Sequence, residues 1–209
     1  MKRIGMMMVF LGLTAALAAQ APMKATTDDG KKILLSPDGT WKYAEAPAAL
    51  SVVKGALAGY TKPKTATVST KTVVDKFTLW MDPEVWTQEK GGDPNRLGFA
   101  HKKGDAYAIV IAERISMPMD SLKEIAVSNA KDAAPDVRVV FEETRTVNGV
   151  KLLCMKMAGT IQKIPFVYFG YYYAGKAGSL QVLTYTGENL FDEYKADFLD
   201  FLNGTVITE

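Results

Sequence analysis

The chain has 209 residues, 48% apolar and 23% charged, with a formal net charge of +2. These are globular values, suited to one domain plus appendages. The excess charge sits in residues 1–18, which carry Lys2 and Arg3 and no acid. Without them 23 basic residues face 23 acidic ones, which argues against a nucleic-acid partner, since that would want a basic surface.

Residues 1–18 read as a signal peptide. Lys2 and Arg3 precede an apolar run from Ile4 to Leu17, and Ala16-Leu17-Ala18 fits the small-x-small cleavage pattern, so a cut after Ala18 is expected. Ala19-Gln20-Ala21 offers a second cut, but Pro22 would follow it. The run is short for a membrane span; an uncleaved anchor is the alternative. No cysteine lies near the cut, which excludes a lipoprotein anchor. The expected location is periplasmic or secreted, with no transmembrane span in the mature chain.

Residues 26–43 predict a small N-terminal β-hairpin. Lys31 to Leu35 and Thr40 to Tyr43 are β-prone, and Ser36-Pro37-Asp38-Gly39 between them is a turn in which Pro sets φ and Gly takes a positive one. An isolated hairpin is marginal in water, so Trp41 and Tyr43 are expected to anchor it on something. The pattern is similar to hairpins at the mature N-termini of secreted bacterial proteins. Residues 44–64 read as a linker, low in complexity around Ala44 to Ala49 and polar at Thr61 to Lys64, with one or two helical turns open to Leu50 to Leu57.

The main domain is expected over residues 65–209. Residues 65–74 suggest an edge strand, and Phe77 to Met81 a strand that turns at Asp82-Pro83-Glu84. Gln88 to Leu97 is an exposed loop, and Leu97 to His101 a short strand. Ala106 to Ile115 is a strong apolar strand. A helix follows, with Ser121 and Glu124 as a capping box and Leu122, Ile125, Ala126, Asn129, Ala130 and Ala133 as its buried stripe; Pro135 ends it. Strands over 137–147 and 150–161 are joined by Asn148-Gly149, a hairpin dipeptide.

Phe166 to Tyr173 is aromatic on both faces: Phe166, Tyr168 and Tyr172 point one way, Val167, Phe169, Tyr171 and Tyr173 the other. A strand apolar on both faces is central and covered twice. Gly170 within it signals a bulge or a close backbone approach. Gly175 to Gly178 turn into a return strand through Leu180 and Tyr185. The closing helix carries Leu190, Phe191, Tyr194, Phe198, Phe201 and Leu202 on one stripe, with Gly204 as its C-terminal glycine. Short turns make the sheet largely antiparallel, and two helices need a face each. The fold class is therefore α+β, an α/β/α sandwich around a largely antiparallel sheet.

Phe77-Thr78-Leu79-Trp80-x-Asp82-Pro83-x-x-Trp86, the mid-chain helix, the Asn-Gly hairpin, the two aromatic strands and the closing Asn189-Leu190-Phe191-x-x-Tyr194 helix together resemble PsbP-like domains over roughly residues 73–206. The resemblance lies in element order. It implies the same sandwich and a non-enzymatic accessory or adaptor role, and it carries over no site residues.

Catalytic sets are sparse. Cys154 is the single cysteine, so no internal disulfide forms, and its strand setting reads as a buried thiol. His101 is the single histidine, beside Lys102 and Lys103 in a turn-like setting without a nucleophile nearby. One His and one Cys do not make a zinc site, and Asp93, Asn95 and Asp105 read as turn formers rather than cation ligands. The expectation is no catalytic residues, no cofactor and no metal. The chain then acts as an exported binding or accessory protein, with an envelope protein or a small apolar ligand as partner. The alternative is a small-molecule or lipid carrier that uses the aromatic sheet as a pocket wall. Trp80, Trp86, Tyr171 and Tyr173 are the candidate ligand contacts.

Overall fold

The computed structural model describes residues 23–26, 32–35, 41–43 and 59–208. The signal segment, the turns of the N-terminal hairpin and most of the linker lie outside the described residues. The chain divides into two compact units, Met1–Val53 and Lys54–Glu209.

In the first unit β1 (Met23–Thr26), β2 (Lys32–Leu35) and β3 (Trp41–Tyr43) form a three-stranded antiparallel sheet in that order. The β2–β3 pair is the hairpin read from the sequence, with Leu35 opposite Trp41. The strand β1, whose Met-Lys-Ala-Thr has little β signature, pairs on its other side.

The second unit holds two sheets. Its small sheet has the order β13 (Thr205–Ile207), β5 (Phe77–Met81), β4 (Val68–Lys71). The large one is seven-stranded and entirely antiparallel between neighbours. Its strands are β6 (Trp86–Gln88), β7 (Arg96–His101), β8 (Ala106–Glu113), β9 (Arg138–Val147), β10 (Val150–Ile161), β11 (Ile164–Gly175) and β12 (Gly178–Gly187). They lie in the order β6-β7-β8-β12-β11-β10-β9. Helix α1 (Met119–Ala133) connects β8 to β9 across the sheet, and α2 (Phe191–Asn203) follows β12 through a short 3-10 turn at Glu188–Leu190. The expectation of a single sheet is thus corrected. Phe77–Met81 leaves the main sheet because it pairs with Thr205–Ile207, a C-terminal strand that three residues of sequence do not announce.

The central aromatic strand is buried on both faces. Val167, Phe169, Tyr171 and Tyr173 join the core with α2, β5, Trp86 and Phe99. Phe166 and Tyr172 join the opposite core with Leu122, Ala126 and Ala130 of α1. The two helices therefore sit on opposite faces, as an α/β/α sandwich requires. From α2, Phe191, Tyr194, Phe198, Phe201 and Leu202 are buried, each contributing about 1.5–3 kcal/mol of transfer free energy.

Two local expectations are corrected and two are refined. Helix α1 starts after Pro118 with no side-chain cap hydrogen bond, so the Ser121/Glu124 box does not form. Its buried stripe is Leu122, Ala126 and Ala130, while Ile125, Asn129 and Ala133 face water. Of the two readings of Gly170 the close approach holds: the register runs unbroken, and a side chain there would meet Val182 O at 2.6 Å. Gly204 ends α2 as read from the sequence, though with a right-handed φ of −68°; glycine is needed there because a Cβ would collide with Trp80 O, and the Trp80 amide donates to Gly204 O at 2.9 Å.

Residues 59–64, assigned to the linker, pack on the second unit. Tyr60 forms a parallel bridge with Val147, donating from its amide to Thr146 O at 2.8 Å and accepting from the Asn148 amide at 2.8 Å. The backbone alone makes these bonds, so the apolar pattern does not reveal them.

Two hairpin turns can be compared directly. Asn148 and Gly149 have φ of 48° and 86°, which this residue pair adopts readily. The β10–β11 turn places Gln162 and Lys163 at φ 50° and 71°, left-handed values that cost ordinary L-residues about 1–2 kcal/mol each. Replacing Gln162→Asn and Lys163→Gly together should raise the urea midpoint, by roughly 1 kcal/mol or more in unfolding free energy. An unchanged or lowered midpoint would show that this turn carries no strain.

Candidate functional site

Strand β8 alternates strictly. Ala106, Ala108, Val110 and Ala112 are buried toward α2 and the small sheet. Tyr107, Ile109 and Ile111 therefore point to the α1 side. Cross-strand register continues each of these positions into a row. Tyr107 lies opposite Tyr185 of β12, and Tyr185 opposite Tyr168 of β11. Ile109 lies opposite Gly98 on one side and Leu183 on the other.

The three tyrosines touch along their row. Tyr107 and Tyr185 stack with centroids 5.4 Å apart and planes 23° apart; Tyr185 and Tyr168 are 5.5 Å apart and tilted. Phe166 meets Tyr168 edge-on at 4.9 Å. Helix α1 packs over β11, and beyond it Tyr107 stays 39% exposed, with Ile109, Ile111, Tyr168 and Tyr185 half-buried. Burial raises the hydroxyl pKa of Tyr168 and of Tyr185, with the charge of Arg96 opposing it at both and Glu89 adding to it at Tyr185. The result is an apolar, aromatic sheet face with one base and one acid at its border. It offers rings, hydroxyls and aliphatic surface for contact.

The four residues singled out from the sequence lie on the other side of the sheet or in the small sheet. Trp86 is 2% exposed and packs on Phe201 at 4.7 Å and edge-on to His101 at 5.0 Å. Tyr171 is buried, its hydroxyl donating to Asn203 Oδ1 at 2.9 Å and accepting from Arg145 Nη1 at 3.3 Å. Tyr173 is buried edge-on against Phe77. Trp80 is half-buried beneath the Lys62 ammonium, 4.8 Å from its ring centre. Trp86, Tyr171 and Tyr173 belong to one core, whereas Trp80 stands on the half-buried face of β5 outside it. The hollow touching Trp86 holds about 20 Å³, room for one water rather than for a carrier's cargo. A wider hollow of about 580 Å³ runs along the outside of α1 and is lined by Asp120, Lys123, Glu124, Val127, Ser128 and Lys131, a charged set.

His101 closes β7 and opens the turn through Lys102 and Lys103, its carbonyl accepting the Gly104 amide at 3.0 Å, yet it is only 4% exposed. Its Nδ1 accepts the Lys103 amide at 3.1 Å, so the ring proton sits on Nε2 and donates to Asp197 Oδ2 at 2.9 Å. Tyr194 flanks the ring at 4.9 Å. These contacts fasten α2 to the β7–β8 end of the sheet. The only warning in the sequence is Asp197, three residues after Tyr194, within the first half of α2.

Arg145 reaches from β9 across the α2-side face. Its guanidinium lies 4.8 Å from the Tyr60 ring, 5.7 Å from Phe169 and 5.8 Å from Tyr171, and Nε donates to Glu143 Oε1. Cys154, between Arg145 and Tyr171 in this layer, is fully buried. Burial pushes its thiol from an ordinary 9.0 up to about 12, against the opposing charge of Arg145, which makes it inert at neutral pH.

No family model matches this chain, and no curated protein matches it. Among solved structures it is similar to the solution structure of cyanobacterial PsbP (CyanoP) from Synechocystis sp. PCC 6803. That likeness has 14% identity and a TM-score of 0.48 and covers 70% of this chain and 95% of that one. A Bacteroides thetaiotaomicron protein gives 5% identity and a TM-score of 0.47 over 68% of this chain and 48% of its own. LpqN of Mycobacterium tuberculosis, described as involved in cell envelope biogenesis, gives 11% and 0.42 over 64% and 83%. Among the described residues, no helix is long and apolar enough to cross a membrane.

The buried thiol sets a pH dependence. Between pH 9 and about 12 the unfolded chain releases the Cys154 proton while the folded chain retains it. Stability therefore falls as pH rises through that window. Tyr171, raised by burial from 10.0 to about 12, adds to the loss at its upper end. Urea melts from pH 8 upward should show a flatter decline for Cys154→Ser than for the natural chain; parallel declines would mean that the thiol ionises in the folded state.

Proposed function

We propose that this chain is an exported, non-catalytic binding protein of the bacterial envelope, built on a PsbP-like domain, and that it holds a protein partner on its tyrosine face. The observation that carries the reading is the Tyr107–Tyr185–Tyr168 row: contiguous across three neighbouring strands, apolar beneath, and partly open to water. Tyrosine and arginine are the side chains most enriched at the energetic centres of protein interfaces. An aromatic row bordered by Arg96 and Glu89 has that composition. Export rests on residues 1–18, and the accessory role on the sequence resemblance over residues 73–206 together with the scarcity of catalytic groups. The filled core around Trp86 and Tyr171 weighs against a carrier with an internal cargo site.

The test is native mass spectrometry of the mature chain, residues 19–209, recovered from its own compartment, followed by crosslinking of the natural chain and of Tyr107→Ala. A protein complex that Tyr107→Ala weakens by tenfold or so, with melting unchanged within a few degrees, is the expected result. A complex indifferent to Tyr107 would move the binding surface elsewhere. A co-purifying lipid or small molecule in place of a protein would restore the carrier reading.

A further inference from the structure

The chain contains two Asn-Gly dipeptides, Asn148-Gly149 and Asn203-Gly204. They are 55 residues apart in sequence and meet in the fold. Asn148 Nδ2 donates to Asn203 O at 2.9 Å and to Thr205 O at 2.7 Å. Its Oδ1 accepts the Lys62 amide at 2.8 Å, and its own amide donates to Tyr60 O. One half-buried side chain thus ties the entering segment, the β9–β10 hairpin, the end of α2 and the start of β13. The Nδ2 position needs an amide, since both of its bonds are donated to carbonyl oxygens. A carboxylate would turn its oxygen toward two carbonyl oxygens, losing two donors and gaining repulsion.

Asn-Gly is also the dipeptide most prone to spontaneous deamidation, because glycine leaves the following amide nitrogen unhindered. We infer that Asn148 is a deamidation site whose conversion to aspartate unties this joint. In the reaction the Gly149 nitrogen attacks Asn148 Cγ. The Cγ–Nδ2 bond breaks, and Nδ2 departs as ammonia with the proton that the Gly149 amide gives up. Water then opens the succinimide ring to aspartate or isoaspartate. The fold treats the two sites differently. Gly149 is exposed at the third position of a tight turn, whose amide makes no turn hydrogen bond. The Gly204 amide is engaged by Asp200 O at 3.2 Å and Phe201 O at 3.1 Å at the end of α2. Asn148 is therefore open at its nucleophile, while its leaving group is held by the two Nδ2 bonds that the reaction destroys.

The intact chain, incubated in mildly alkaline buffer with and without urea and mapped by peptide mass spectrometry, tests this. In the folded chain Asn148 should convert ahead of Asn203. Its conversion should be at least about tenfold slower folded than in urea, the factor that one or two hydrogen bonds supply. Equal rates folded and in urea, or Asn203 converting as readily as Asn148 in the folded chain, would overturn the assignment. As a second measurement, Asn148→Asp should melt well below Asn203→Asp. The latter keeps an oxygen acceptor for the Tyr171 hydroxyl and adds the same charge; equal melting would reduce the effect to charge alone and sink the proposal.

Discussion

Everything in the second unit follows from one strand being covered twice. Tyr171 and Tyr172 are adjacent, point to opposite faces, and are 1% and 0% exposed. That requirement cannot be met by a single helix. It forces α1 onto one face and α2 with the small sheet onto the other, and it places β11 away from either edge. The polar ends of the two rings are handled unequally. Tyr171 finds Asn203 and Arg145 at the margin of α2, whereas the Tyr172 hydroxyl is buried without a hydrogen-bond partner under α1. The Tyr172 hydroxyl thus costs the α1 side about 1–3 kcal/mol, and the buried Thr205 hydroxyl of β13, also without a partner, costs the α2 side a similar amount.

Coverage by helices also explains why an aromatic face remains open. Seven strands about 4.8 Å apart span roughly 29 Å, while one helix is about 10 Å across. On the α2 side the small sheet, Trp86 and Phe99 share the task with the helix. On the α1 side the helix is the one covering element among the described residues. Placed over β11, it leaves the β7–β8–β12 half of the sheet to whatever lies outside the domain, and Tyr107 is what that half presents.

Much of the architecture was legible because it is written in periodicity. The two-faced aromatic strand, the helix stripe of Phe191, Tyr194, Phe198 and Phe201, and the Asn148-Gly149 hairpin each follow from spacing and residue type, and the layered α+β class follows from their order. The parts that escaped are those where backbone meets backbone at long range. Tyr60 joining Val147, and Thr205–Ile207 joining Phe77, use amides and carbonyls that every residue possesses. The site escaped for a related reason. Aromatic residues at Trp80, Trp86, Tyr171 and Tyr173 look the same in sequence as those at Tyr107, Tyr168 and Tyr185; what separates them is which sheet and which face they stand on, and how far that face is covered. His101 and Asp197, 96 residues apart, could be joined only by the fold.

The small sheet has a kinetic meaning. Its middle strand, β5, is made early in the domain, but one of its two neighbours, β13, is nearly the last segment to be made. Until then Phe77 and Leu79, both fully buried at the end, have one paired edge and one bare one. Contacts of such sequence separation close late, since the loop entropy must be met before they form. A growing chain of this domain therefore carries an unfinished apolar strand until β13, which follows every other strand in sequence, has been made.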